Sequence, residues 1–321
     1  MLSRVADALY WMARYSERTQ SNAHILQVQL LNMLEQSGQE HAYLDHWEAV
    51  LAICASKEEY LANYSAIRVN PLIDYLLFSE KNGNALHVTL RAIRENARVT
   101  RDSIPTELWE IQNTFYLTKQ QAILTRERPI PLIELQAFLQ EVRKTLWMEN
   151  GLIESTMDRD LPFYFMQVGK WLERAEKTLR MTLSIVEQQK LSGLSLLEDD
   201  GSFLLALTAA RESYMRKHCQ TNLLAVIRYL VQDEHFPCSV MFCLKKIEEA
   251  ITAIEHDSLS SRFLTLHTSI RSLILAINHL DFLQMTLEET MTIMEERLSQ
   301  CIAFSDTFST VYHLYEPSIQ P

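Results

Sequence analysis

The pair Glu17-Arg18 returns as Glu173-Arg174, 173 − 17 = 156 residues later and close to half of the 321-residue chain. The first pair lies in LYWMARYSERTQSNAHILQVQ and the second in FMQVGKWLERAEKTLRMTLSI. Aromatic and apolar positions coincide. Each pair follows a small residue (Ala13, Gly169), a cation (Arg14, Lys170) and an aromatic (Tyr15, Trp171). A second match joins CASKEEYLANY, from Cys54, to TAARESYMRKH, from Thr208, at 208 − 54 = 154. It sets Glu58 on Glu212 and Tyr60 on Tyr214. At the same offset Tyr75-Leu76 meets Tyr229-Leu230, Glu80 meets Glu234 and Leu86 meets Val240. A near-constant offset over such a span marks a tandem duplication. The period exceeds the roughly 20–50 residues of common solenoid repeats. The expectation is two related helical halves, residues 1–156 and 157–321, packed face to face about a pseudo-twofold axis. No flexible linker separates them, so they are expected to share one core as a continuous unit.

Glycine decides the fold class. The chain holds six glycines and eight prolines in 321 residues, against a usual glycine content of about 7%. Sheets need turn residues at every reversal, so this poverty argues for long helices. Leu, Ala, Glu, Gln, Met and Arg, all strong helix formers, are abundant, and apolar residues make up 47% of the chain. The fold class is therefore all-α, a helical bundle built from two duplicated, pseudo-symmetric halves.

From Leu2 to Met33, positions 2, 5, 9, 12, 16, 19, 23, 26, 30 and 33 alternate steps of three and four. That spacing predicts one helix of about thirty residues with Ser3 as its N-cap. Further helices are expected near 40–55, 57–65, 70–79, 84–101, 105–125 and 130–155. In the second half they are expected near 160–191, 200–217, 222–233, 238–256, 259–278 and, with a break, 281–315. Prolines fall near the boundaries. SEKNGNA and LSGLSLLEDDGS are expected loops, and the tail EPSIQP is expected to fray.

Several function classes are disfavoured. A net charge of −11 argues against non-specific nucleic-acid binding. No stretch approaches the roughly 20 apolar residues of a membrane span. The N-terminal MLSRVADALYWMARYSER lacks the uninterrupted apolar core of a signal peptide. Five cysteines without close pairs fit reduced, mostly buried thiols in the cytoplasm. No phosphate-binding or nucleophile-elbow motif is present. His218, Cys219, His235, Cys238 and Cys243 cluster but lack two-residue ligand gaps, so neither a metal nor another cofactor is expected.

The Glu-Arg pair is the candidate site. Residues seven apart line up on a helix, which sets Arg18 with Trp11, Ile25 and Asn32, and Glu17 with Tyr10, His24 and Leu31. Mostly apolar neighbours put the pair inside or at a cleft, where each charge needs a partner. The structural reading pairs each Glu with the Arg of the other half and stands first. The functional reading has Arg18 and Arg174 clamp a carboxylate or phosphate, with Glu17 or Glu173 as base or orienting group. Arg14 and Lys170 add positive charge nearby.

Three secondary groups complete the candidates. Glu95, Arg98 and Asp102, with Arg94 and Arg101, are read first as a salt-bridged solvent face and second as a cleft lining. Asn96 on the same helix could bond a buried backbone group or a ligand. Trp109 is a packing anchor. Tyr60 and Tyr214 are expected to pack between the halves, with hydroxyls available to the charged cluster.

Taken together, MLSRVADALYWMARYSER, WLERAEKTLR, the RENAR run from Arg94 to Arg98 with SIPTELWEIQN, and PCSV at Pro237 to Val240 resemble the bacterial alpha-E family. The resemblance spans nearly the whole chain and implies an all-helical protein named for its Glu-Arg motif. Members are typically encoded beside, or fused to, circularly permuted ATP-grasp proteins. The resemblance thus implies an ATP-grasp-type protein or a peptide as partner. The matching positions are Glu17, Arg18, Glu173, Arg174, Glu95, Asn96 and Arg98. The chain departs from the family pattern at Gln20, His24 and Cys238. The leading functional expectation is an accessory or scaffold protein for an ATP-grasp peptide ligase in small-peptide synthesis or modification. The alternative is an enzyme that binds an anionic substrate at the Glu/Arg cluster. A third reading is a helical protein that assembles only with itself.

Overall fold

The three-and-four spacing from Leu2 forms α1, Ser3–Glu35, in the computed structural model, which describes residues 2–35, 40–54, 57–192, 197–255 and 260–314. The first helical acceptor is the Leu2 carbonyl, to which Val5 and Ala6 N–H donate at 2.9 and 3.1 Å. Leu2 thus holds the cap position expected of Ser3. All regular structure among the described residues is helical, and no described helix is long and apolar enough to cross a membrane.

The chain divides into two compact units, Met1–Gly169 and Lys170–Leu314. The first holds α1, α2 (Glu40–Cys54), α3 (Lys57–Asn63), α4 (Val69–Phe78) and α5 (Leu86–Val99), then α6 (Thr106–Phe115), α7 (Gln121–Leu124) and α8 (Leu132–Thr156). A π-helical turn, Tyr116–Gln120, joins α6 to α7. The helix α9, Leu161–Ser192, begins in this unit and continues into the second. The second holds α10 (Leu197–Leu207), α11 (Arg211–Met215), α12 (Leu223–Gln232), α13 (Val240–Ile254), α14 (Ser261–Asn278) and α15 (Leu287–Tyr312).

The duplication runs through the elements. Adding 154 to the bounds of α4 (69 and 78) gives those of α12 (223 and 232). The same shift carries the start of α5 (86) to that of α13 (240). The start of α8 (132) reaches that of α15 (287) at 155. The fold is therefore two duplicated helical halves, as the repeat predicts.

The halves start equivalent helices by different chemistry. Pro105 and Pro131 precede α6 and α8, where a fixed φ preorganises the first turn. Their counterparts, 105 + 155 = 260 and 131 + 155 = 286, are Ser260 and Thr286. Ser260 Oγ accepts from Phe263 N–H at 3.0 Å. Thr286 closes a reciprocal capping box with Glu289. The boundary survives while the device that makes it differs.

Two expectations fail locally. The helix expected over 200–217 breaks at Ala209, whose φ of 52° lies in the left-handed region. In LSGLSLLEDDGS, residues 197–202 are helical, in α10, rather than loop. Residues 193–196 of that segment, and the tail EPSIQP, lie outside the described residues.

In the first unit, α1 packs on α5 and α8. Near its end in this unit, α9 presses on α1 so closely that a Cβ on Gly169 would sit 2.4 Å from the Tyr10 carbonyl oxygen. In the second unit, α12 packs on α10 and α13, and α13 on α14.

Candidate functional site: the two Glu-Arg motifs

An aromatic run on α1 carries the first motif inward. Glu17 and Arg14 are each 4% exposed, while Arg18 is half-buried. In α9, Glu173 is 3% exposed, and Lys170 and Arg174 are half-buried. Both Glu-Arg pairs therefore keep the carboxylate inside and the arginine at the margin, while Arg14 is buried with the first carboxylate.

The cations lie on aromatic faces, which attract them through the ring quadrupole. The Arg14 guanidinium carbon is 5.5 Å from the Trp11 ring centre, and its Nη1 donates to the Tyr10 hydroxyl at 3.1 Å. Arg18 lies 5.5 Å from Tyr15, and Arg174 lies 4.7 Å from Trp171 at the equivalent position, 15 + 156 = 171. Lys170 Nζ is also 4.7 Å from the Trp171 ring.

Each motif arginine also reaches a turn of its own unit. Arg18 Nη1 donates to Asn84 Oδ1 at 2.9 Å, just before α5. Arg174 Nη1 donates to the Pro237 carbonyl at 3.4 Å, just before α13. Four residues on from each arginine, a second donor meets the same turn. Asn22 Nδ2 donates to the Asn84 carbonyl at 3.5 Å, and Thr178 Oγ1 to the Cys238 carbonyl at 2.8 Å. These are equivalent contacts, since 22 + 156 = 178 and 84 + 154 = 238. The departure of Cys238 from the family pattern leaves this fastening intact, because its backbone oxygen is the acceptor.

The turns themselves are copies. Ala85 N–H donates to Asn82 O at 2.9 Å, and Ser239 N–H to Phe236 O at 2.9 Å. Lys81 N–H donates to Ser79 Oγ at 3.3 Å, and His235 N–H to Asp233 Oδ1 at 2.9 Å. Arg91 holds Glu80 through two hydrogen bonds of 2.8 Å, and Lys245, at 91 + 154 = 245, holds Glu234 at 2.7 Å. The Arg91 bonds hold the Glu80 carboxyl at about 2 against the upward push of burial, with His87 adding to the effect.

The secondary candidates sort differently. Glu95 pairs with Arg94 at 2.7 Å and Arg98 at 2.8 Å on a largely exposed surface, the expected salt-bridged face. Arg94 lies 4.4 Å from the Tyr116 ring and 5.4 Å from Trp109, and Arg101 lies 5.1 Å from Trp109. Trp109 is thus an anchor between two guanidinium groups. Asn96 is half-buried, and its Nδ2 has no hydrogen-bond partner among the described residues.

Tyr60 and Tyr214 each sit in an aromatic trio of their own unit. Tyr60 stacks on Tyr64 at 4.6 Å and meets Tyr75 edge-on at 5.1 Å. Tyr214 stacks on His218 at 4.4 Å and meets Tyr229 edge-on at 5.2 Å. The offset of 154 carries 60, 64 and 75 onto 214, 218 and 229. Burial pushes the Tyr60, Tyr75, Tyr214 and Tyr229 hydroxyls up, which keeps them protonated. The third member of each trio escapes residue-identity matching, because Tyr64 has become His218.

A family model described as "A predicted alpha-helical domain with a conserved ER motif" matches residues 1–312. No curated protein and no solved structure matches the chain significantly. The match spans both Glu-Arg motifs and nearly the full length, so the chain belongs to the Alpha-E family.

Proposed function

We propose that the protein is a non-catalytic accessory or scaffold subunit, acting beside an ATP-grasp peptide ligase in the synthesis or modification of a small peptide. One observation carries the non-catalytic part. In both repeats the motif arginine is engaged on the turn before the next long helix, Arg18 on the Asn84 side chain at 2.9 Å and Arg174 on the Pro237 carbonyl at 3.4 Å, acceptors one position apart in the repeat. A group that fastens the scaffold in two diverged copies is better explained by architecture than by a reaction. The link to ATP-grasp chemistry rests on the family resemblance. The ATP dependence of ATP-grasp chemistry and five cysteines that form no disulfide support a cytoplasmic site of action.

The test is recovery of the tagged protein from its native cells, followed by mass spectrometry. The expected result is an ATP-grasp protein in comparable amount. Recovery of this chain alone would count against the partnership and return weight to an enzyme that binds an anionic substrate at the Glu/Arg cluster.

A further inference from the structure

Each unit contains a cavity against the helix that carries Tyr75 or Tyr229, and the two cavities are lined at equivalent positions. The first, about 280 Å³, is lined by α4 and the segment before α8, including Pro71, Asp74, Phe78 and Arg128. The second, about 420 Å³, is lined by His218, Ala225, Arg228, Tyr229, Gln232 and Asp233, with Leu283 opposite. The α4-to-α12 offset carries 71 to 225, 74 to 228 and 78 to 232, since each differs by 154. The α8-to-α15 offset carries 128 to 283, a difference of 155.

The first cavity holds its own cation. The Arg128 guanidinium lies 3.6 Å from the Phe78 ring centre, and its Nε is 3.3 Å from Asp74 Oδ1. A planar charged group thus sits on an apolar wall against an opposite charge, all supplied by one unit. In the second cavity every part of that arrangement has changed. Leu283 stands where Arg128 stood, so the internal plug is gone. Gln232 replaces Phe78 and is engaged elsewhere, donating to the Ile277 and Leu280 carbonyls at 2.9 and 2.8 Å. Arg228 replaces Asp74, which reverses the charge at the point where the plug was held.

Arg228 is exposed, and no carboxylate among the described residues pairs with it. The other charges in the cavity are already answered. Asp233 accepts from His235 and Phe236 N–H at 2.9 and 2.8 Å and pairs with Lys217 at 2.9 Å. Tyr229 Oη shares a hydrogen bond of 2.8 Å with Ser213 Oγ. What remains is a guanidinium beside Ala225, Leu283 and the Tyr229 ring, in a space of the size that small ligands fill. A guanidinium matches a carboxylate in a planar, two-bond geometry.

We propose that the second unit's cavity binds a small carboxylate with an apolar body, the carboxylate on Arg228 and the body against Leu283, Ala225 and Tyr229. This ligand takes the place that Arg128 fills in the first unit, with the charges exchanged.

The probe is benzoate, titrated against the full-length protein and followed by ligand-observed NMR, with neutral benzamide as its isostere. Benzoate is expected to bind saturably at millimolar concentrations. Arg228→Gln is expected to weaken it by about tenfold or more, and benzamide is expected to bind no better than benzoate binds that variant. Arg228 has no partner to lose, so the substitution should leave the unfolding midpoint unchanged, and the loss then reports binding. In a second variant, Arg228→Asp with Leu283→Arg, the plug is rebuilt and benzoate binding should disappear. Absence of saturation by benzoate, or equal affinity for wild type and Arg228→Gln, would overturn the proposal.

Discussion

Replacing Glu149 by glutamine should stabilise the protein at neutral pH by about 3 kcal/mol. Glu149 lies on α8 and is 3% exposed. Its partner is Gln112, whose Nε2 donates to Glu149 Oε1. Burial raises its carboxyl from 4.5 to about 8, only partly opposed by the Gln112 bond. The folded protein therefore holds a proton at pH 7 that the unfolded chain has released. A raised acid binds more protons when folded, so stability falls as pH rises from about 4.5 to about 8. At pH 7 the gap is roughly two and a half pH units, at about 1.4 kcal/mol each. Glutamine keeps the shape and an acceptor for Gln112 without the penalty. Urea unfolding at pH 5 and pH 8 checks this. The gain should be small at pH 5 and largest at pH 8. A gain independent of pH, or a loss at both, would show that Glu149 is not buried as a neutral acid.

The opposite sign is expected at Gly201. A Cβ at this position in α10 would sit 1.9 Å from the Thr221 carbonyl oxygen, against backbone that cannot rotate away. Alanine is the better helix former by about 1 kcal/mol, but forcing the segments apart costs about 1–3 kcal/mol or more. Gly201→Ala should therefore destabilise the protein by about 2 kcal/mol or more. Gly151 is the control, an exposed glycine inside α8 with nothing within 4 Å of the added carbon. Gly151→Ala should stabilise by about 0.5–1 kcal/mol, because only the backbone term remains. Equal effects from the two substitutions in thermal or urea unfolding would contradict the close approach at Gly201.

The helices were legible because their signals are local and repeated. The scarcity of glycine, the apolar spacing of α1 and the paired Glu-Arg runs all point to duplicated helices. The offset carried one internal slip, from 156 at the motif to 154 at α4, while the shift to 155 at α8 emerged only from the helix bounds. What stayed hidden depends on chemistry that changed while geometry held. Pro131 and Thr286 start equivalent helices by unrelated means, so residue identity conceals the correspondence. The turn at Ala209 breaks a segment of good helix formers, with the Ala209 and Ala210 N–H groups closing α10 on the Ala206 and Leu205 carbonyls. Tyr64 and His218 share one stacking role under different names.

The site was half legible. Burial of Glu17 and Glu173 followed from their apolar neighbours. The acceptors of Arg18 and Arg174 did not, because Asn84 and Pro237 lie more than sixty residues away and one of them offers only its backbone. Glu149 also gave no sign, since one carboxylate on a long helix looks like solvent-face decoration until packing closes over it. The cavity at Arg228 became visible only when both units could be compared position by position.

The central claim is that the motif arginine fastens α1 to the turn before α5. A double-mutant cycle on Arg18 and Asn84 tests it most directly, using Arg18→Ala, Asn84→Ala and the pair, each followed by urea unfolding. A hydrogen bond from a charged group contributes about 1.5–3 kcal/mol, and Arg18 is half-exposed, so a coupling of about 1–2 kcal/mol is predicted. A coupling near zero, with the single Arg18→Ala protein as stable as wild type, would contradict the claim and make the arginine a candidate ligand-binding group.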